Sequence, residues 1–309
     1  MSRTTEFEEC RPLLFAIAYR VLGSVSEAED AVQETWLRYD ASPTTPASPK
    51  AYLSAVVTRV SIDVLRSARV RREQYVGDWL PEPLTSEPYE DPERAAELAD
   101  SVSMAALLLL ERLTPLERAV FVLRDVFAYE FAEIASVIER SEAACRQLAV
   151  RARRHMEEGR PRFAADRRER ELLATRFFDA LQDGDVDELR QLFAADVQSS
   201  WDTGGKAPRW KRAVMGADKL ARALGATFPS FFRIGGRMER RWINGQPGVI
   251  ARDQDDHVIG TLALDILDGQ IQTVRAVINP EKLTHLGPVA DMWEVFQATS
   301  NARREGNTR

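Results

Sequence analysis

Residues 128–157 read AYEFAEIASVIERSEAACRQLAVRARRHME, and two helices separated by a tight break account for that stretch. Phe127, Phe131, Ile134, Ala135 and Ile138 recur at the three-to-four-residue spacing of an amphipathic helix. Glu139-Arg140 breaks the period, and Ser141 is placed to cap a second helix. At about 100° per residue, Cys145, Ala149, Ala152 and Met156 fall on one side of that second helix. Gln147, Val150, Arg151 and Arg154 then point away, with Arg146 and Arg153 on the flanks. Such a face fits a DNA major groove, where Arg and Gln donate to base edges and flanking arginines neutralise phosphates. An arginine-rich face is equally compatible with plain solvated surface, so the rest of the chain has to decide.

Upstream, a second basic segment runs from Arg59 to Arg72 with five arginines and one acid, Asp63. From Glu82 to Asp100 there are seven acids and one arginine. The net charge of −6 argues against a protein that coats nucleic acid indiscriminately, so local patches govern any DNA contact. At 309 residues the chain has room for two or three domains, each with its own core. Its two cysteines, Cys10 and Cys145, lack the spacing of a zinc or redox motif, and no metal or cofactor is expected. The longest apolar run, Met104 to Leu110, is far too short for a membrane span, and Glu6, Glu8 and Glu9 occupy the place of a basic signal-peptide start. A cytoplasmic protein with no membrane contact is the expectation.

Residues 6–72 look wholly helical. Phe7, Leu14, Phe15, Ala18 and Leu22 form a stripe that ends at Gly23, and Ser26 with Glu29 reads as the capping box of a second helix. A third helix carries Tyr52, Leu53, Val56, Val60 and Val64 into the arginine cluster. Pro81 to Pro92 holds four prolines and several acids, which marks an extended, solvated linker. Helical character resumes from about Glu93 to Arg112, and Thr114, Pro115 and Glu117 start a helix that runs from Leu116 to Phe127. A further boundary falls near residues 159–162.

Beyond residue 168 the period changes. Helices at Glu171–Gln182 and near Gly216–Phe228 alternate with strand-like runs, among them residues 258–266 and 271–277. Asp268-Gly269 and Asn244-Gly245 are hairpin signals, so an α+β domain follows the helices. Asp202, Asp265, Asp268 and His257 are its acid–base candidates. Asp268 is explained by its turn and Asp202 by a Gly-rich loop, so an enzyme is not expected.

The stretch Ser26-Glu27-Ala28-Glu29-Asp30-Ala31-Val32-Gln33-Glu34-Thr35-Trp36-Leu37-Arg38 resembles the core-polymerase-binding segment of bacterial sigma factors of the extracytoplasmic-function (ECF) class. Residues 114–156 resemble their second DNA-binding domain. Tyr75-Val76-Gly77-Asp78-Trp79-Leu80-Pro81-Glu82-Pro83, Asp202-Thr203-Gly204-Gly205-Lys206 and Asn279-Pro280-Glu281-Lys282-Leu283 are similar to signatures of the subgroup with a fused SnoaL-like C-terminal domain. Three positions depart from the usual pattern: Thr203 replaces a glycine, Glu281 an aspartate, and Glu139 a common turn glycine.

The resemblance implies a multidomain chain, two all-α sigma domains followed by an α+β SnoaL-like cone with a curved antiparallel sheet. The expected divisions are 1–80, sigma domain 2; 81–95, acidic linker; 96–160, sigma domain 4 with the helix-turn-helix; 168–290, the regulatory domain; and 291–309, a tail. It further implies core RNA polymerase and promoter DNA as partners. Asp30, Gln33, Glu34 and Trp36 would meet the polymerase. Arg59, Asp63, Arg66, Arg69, Arg71 and Arg72 would serve the minus-ten element, and Arg146, Gln147, Arg151, Arg153 and Arg154 the minus-35 element. Asp202, Gly204, Gly205, Lys206, Asn279, Pro280 and Lys282 would form a regulatory interdomain contact. The cone leaves room for a small-molecule ligand of unspecified chemistry. A one-component DNA-binding regulator with a small-molecule-sensing C-terminal domain is the alternative.

Overall fold

The computed structural model describes backbone and side chains for residues 2–67, 75–87, 89, 91, 93, 98–157, 166–207 and 214–305, and backbone alone for 68–73, 95–97 and 306. Its contacts divide the chain into two compact units, Met1–Gln74 with Ser86–Arg160 and Tyr75–Thr85 with Pro161–Arg309.

The first unit is all helix: α1 (Arg3–Leu22), α2 (Val25–Asp40), α3 (Pro49–Glu73), α4 (Ala95–Ser101), α5 (Met104–Leu110), α6 (Pro115–Phe121), α7 (Phe131–Ile138) and α8 (Glu142–Glu157). Gly23 ends α1 in the left-handed region, its N–H bonded to the Tyr19 carbonyl, as the stripe before it predicts. The cap of α2 differs from expectation. Ser24, not Ser26, accepts from the Glu27 N–H, because Val25 is already helical and the apolar face begins there. Thr114 and Glu117 form the full capping box before Pro115.

The helix expected through Phe127 also ends early. A π-helical turn, Val122–Val126, follows α6, and Ala128 at φ 57° breaks the chain before α7. Phe127 is therefore outside the helix-turn-helix, and its ring lies 5.4 Å from the Arg20 guanidinium. Glu139 adopts φ 55° in the turn between α7 and α8, so it fills the glycine-favoured conformation directly.

Two arginines that sequence reasoning passed over lie at the centre of this unit. Arg20, fully buried on α1, donates to the Glu87 carboxylate at 3.0 Å, to Ser101 Oγ at 2.7 Å and to the Leu98 carbonyl at 3.0 Å. Arg118 on α6 donates to the Val21 carbonyl at 2.8 Å and to Glu111 at 2.6 Å. Burial lowers the Arg20 pKa and raises that of Glu87, so their attraction does not fully offset the cost of leaving water. The pair is nonetheless better kept than halved.

The second unit carries α9 (Arg167–Asp183), α10 (Val186–Leu192), β1 (Phe193–Asp202), α11 (Ala217–Gly225), α12 (Phe228–Arg233), β2 (Arg237–Ile243), β3 (Gln246–Arg252), β4 (Val258–Leu267), β5 (Gln270–Val277) and α13 (Met292–Gly306). The sheet runs β1-β5-β4-β3-β2 and is open. It is mixed rather than antiparallel, because β1 pairs parallel with β5 while the β2-to-β5 meander is antiparallel. No hairpin joins β1 to β5, so no local turn signal could announce that pairing. Asn244-Gly245 and Asp268-Gly269 both show the successive positive φ values of a tight hairpin turn. Phe177, Phe193, Val197, Leu220, Leu224, Leu264 and Val274 belong to the core between helices and sheet.

The segment Tyr75–Thr85 belongs to this second unit, whereas the sequence places residues 75–80 at the end of sigma domain 2 and 81–85 in a solvated linker. Leu80 is 1% exposed and Glu82 6%. Residues 88, 90, 92 and 94 of the acidic run and the boundary near 159–162 lie outside the described residues.

Replacing Arg20 by Met should cost the helical unit about 3 kcal/mol by stranding Glu87, and adding Glu87→Leu should recover part of that loss. Denaturant unfolding followed by circular dichroism checks both. Additive losses in the double variant would contradict the pairing.

Candidate functional site: a strap on the C-terminal unit and two basic helix faces

Three motifs read separately in the sequence meet at one carboxylate. β1 ends at Asp202, which is completely buried. Asp202 accepts from the Tyr75 hydroxyl, from the Leu80 N–H at 2.8 Å, from Lys282 Nζ at 2.6 Å and from the Gly204 N–H at 3.1 Å. Lys282 also donates to the Leu80 carbonyl at 2.5 Å, and its ammonium lies 4.4 Å from the Trp79 ring and 4.9 Å from that of Tyr75. The Tyr75 oxygen in turn accepts from Asn279 Nδ2 at 2.8 Å.

Local chemistry explains why these residues arrive together. Asn279 caps the 3₁₀ turn Pro280–Lys282, and Pro280 presets its first dihedral, which aims Lys282 back under the strap. Gly204 must be glycine on two counts: its φ is +57°, and a Cβ there would fall 2.4 Å from Asn279 Nδ2. Thr203 is tolerated because positive φ falls on Gly204 and Gly205 instead, and its hydroxyl accepts from the Gly205 N–H. Lys206 pairs with Glu281, and their side chains are 48% and 66% exposed, so this pair contributes little.

Further along the strap, Leu84 exchanges two hydrogen bonds with Asn244, at 2.9 and 2.7 Å. His285 Nε2 lies 2.7 Å from the Pro83 carbonyl, which can only accept, so that nitrogen carries the proton. Pro81 and Pro83 have no N–H to satisfy and favour extended chain. Burial first, and the bond to Asp202 second, push the Tyr75 phenol well above its ordinary pKa.

Asp265 pairs with Arg275 at 2.6 Å and His257 Nδ1 lies 3.3 Å from Asp253, while Asp268 holds the positive φ of its turn. These acid–base candidates are each engaged locally.

In the helical unit, Asp30 and Gln33 are exposed on α2 together with Leu37, which is 55% exposed. Glu34 pairs with Arg38 at 2.8 Å. Trp36 packs inward, its ring 5.0 Å from that of Phe7. On α3, Arg59 donates to the Val137 carbonyl at 2.7 Å and to the Ser136 carbonyl at 2.8 Å. It thereby caps the open carbonyls at the end of α7. Asp63 pairs with Arg66 at 3.2 Å, and the side chains of Arg69, Arg71 and Arg72 lie outside the described residues.

Three of the four arginines of α8 are held by carboxylates. Arg146 pairs with Glu142 at 2.6 Å, Arg151 with Glu117 at 2.9 Å and Arg153 with Asp125 at 2.6 Å. Gln147 and Arg154 are exposed on the outer face, and Ser141 accepts from the Ala144 N–H as a helix cap.

Residues 7–71 match the family described as Sigma-70 region 2, and residues 103–156 that described as Sigma-70, region 4. The chain is 40% identical over 297 residues to the ECF RNA polymerase sigma factor SigJ of Mycobacterium tuberculosis (strain ATCC 25618 / H37Rv), covering 91% of this chain and 93% of that one. It belongs to the ECF sigma factors. This ECF sigma factor is also 31% identical over 290 residues to the probable ECF RNA polymerase sigma factor SigI of the same strain, covering 89% of its own length and 93% of the relative's. It superposes on the crystal structure of M. tuberculosis SigJ with a TM-score of 0.70 at 36% identity, over 91% of this chain and 98% of that one. Because these matches run well past region 4, they include the C-terminal unit, and they favour a sigma factor over a one-component regulator. Among the described residues no helix is long and apolar enough to cross a membrane.

Raising a tyrosine pKa stabilises the fold below the unfolded value, and that contribution is lost as pH climbs above it. The C-terminal unit should therefore lose stability above pH about 10, and Tyr75→Phe should reduce that alkaline loss. Thermal melts across the alkaline range check this, and identical pH profiles for variant and wild type would contradict it.

Proposed function

We propose that this sigma factor directs initiation through the outer faces of α2, α3 and α8, while its C-terminal unit governs the step by holding the tether between the helical halves. The observation that supports this is the Asp202 network, which fixes residues 75–85, part of the stretch between the end of α3 at Glu73 and the start of region 4 at residue 103. Released and extended, those eleven residues would add about 36–40 Å of reach. Two promoter elements some twenty-five base pairs apart are separated by roughly 85 Å along the duplex. Serving both requires a tether that can extend, and it also requires the bonds of Arg59, Arg118 and Tyr129 across the helical unit to open. Tyr129 donates its hydroxyl to, or accepts from, Ser54 Oγ at 2.7 Å in that packed arrangement.

Asp30, Gln33 and Leu37 form the surface for core polymerase, with Glu34 at its edge. Arg59, Asp63, Arg66, Arg69, Arg71 and Arg72 serve the minus-ten element once Arg59 leaves α7. The arginines of α8 neutralise phosphates at the minus-35 element, and the carboxylates beside them set their direction. The protein acts in the cytoplasm and without catalysis of its own, as a polymerase subunit whose C-terminal fold serves as a brace.

Lys282→Met and Asp202→Asn should each change transcript yield from a mapped promoter at least threefold and in the same direction, whereas Lys206→Met should have little effect. Transcription with purified core polymerase measures this. Equal yields from wild type and both variants would remove the strap from the function. Separately, Arg154→Ala should reduce the slope of log affinity against log salt by about 0.9, one phosphate contact. An unchanged slope in promoter-binding titrations would exclude that role.

A further inference from the structure

The outer face of α8 is not arginine alone. At about 100° per residue, Ala143 and Arg154 lie within roughly 10° of the line opposite the buried side, and Val150 and Gln147 lie about 30° to either side of it. The buried side is Cys145, Leu148, Ala149 and Ala152. Arg146 and Arg153 stand on one flank, tied to Glu142 and Asp125, and Arg151 stands on the other, tied to Glu117. A pair at each flank turns the cations towards where two phosphate strands would run, and leaves the midline for base edges.

Val150, beside that line, is 64% exposed, among the most exposed large apolar side chains of the described residues. A single exposed valine is ordinary on a protein surface, and it becomes informative where α8 meets DNA. In a major groove one base alone offers an apolar partner, because thymine projects its C5-methyl group there. Gln147, one turn towards the N-terminus, makes no side-chain hydrogen bond among the described residues, and its amide matches the N6/N7 edge of adenine.

Resting on the proposed placement of α8 in the upstream element, we infer that Val150 is a specificity-determining residue that reads a thymine methyl, with Gln147 reading an adenine close to it. The cations on the flanks carry affinity, and these two carry sequence. Deleting the methyl while keeping the base pair isolates the contact, since uracil pairs as thymine does.

The test uses the full chain with core polymerase on a promoter fragment selected by that holoenzyme from random upstream sequence. Each thymine of the upstream element is replaced singly by deoxyuridine, for wild type and for Val150→Ala. At one position the wild type should lose about fourfold in affinity, the worth of one buried methyl, and Val150→Ala should show no such loss there. A scan in which no position separates the two proteins would overturn the reading of the methyl. Ala143→Trp tests the placement by itself: upstream protection should vanish, and protection that persists would show that α8 does not enter the groove. Loss of protection in Ala143→Trp with a flat uracil scan sinks the methyl contact alone.

Discussion

A carboxylate taken completely out of water needs the protein to supply the hydrogen bonds that water gave, and Asp202 is supplied from three separate stretches of chain. The ammonium of Lys282, the phenol of Tyr75 and the amides of Leu80 and Gly204 converge on it. Removing one of these partners leaves an unpaired buried group, which costs more than the intact pair contributes. The arrangement therefore holds as a whole or gives way as a whole. It converts residues 75–85, which otherwise have too few apolar side chains to fold alone, into an ordered strap.

That property matters because of where the strap lies in the sequence. It lies between the two matched sigma regions, residues 7–71 and 103–156, so in the proposed function a third element limits the chain free to separate them. The helical unit has its own closures, Arg20 with Glu87 and Arg118 with the Val21 carbonyl, each made by a buried cation. Both units thus rely on desolvated charge. Fully satisfied, such groups rigidify and specify one arrangement.

Much of the fold was legible because its signals are local. The helix-turn-helix, the Gly23 stop, the Thr114 capping box and both hairpin turns depend on a few neighbouring residues, and each is found where the spacing puts it. The parallel partner of β1 was not legible, since nothing near residue 202 records a strand seventy residues later. Residues 81–85 read as linker for a similar reason: their prolines and acid have that composition, and only the distant Asp202, Asn244 and Lys282 make them structure. Arg20 gave one usable hint, a charge inside the apolar run from Ala16 to Leu22. Asn244 was read as a turn residue and is also the partner of Leu84, a second role that a turn signal cannot carry.

Amide hydrogen exchange across residues 75–85 in the intact chain addresses the central claim most directly. The account predicts slow exchange at Leu80 and Leu84, whose N–H groups are bonded to Asp202 and Asn244, and release of Leu80 in Asp202→Asn while β4 stays protected. Exchange at Leu80 and Leu84 as fast as in an unstructured peptide would contradict it.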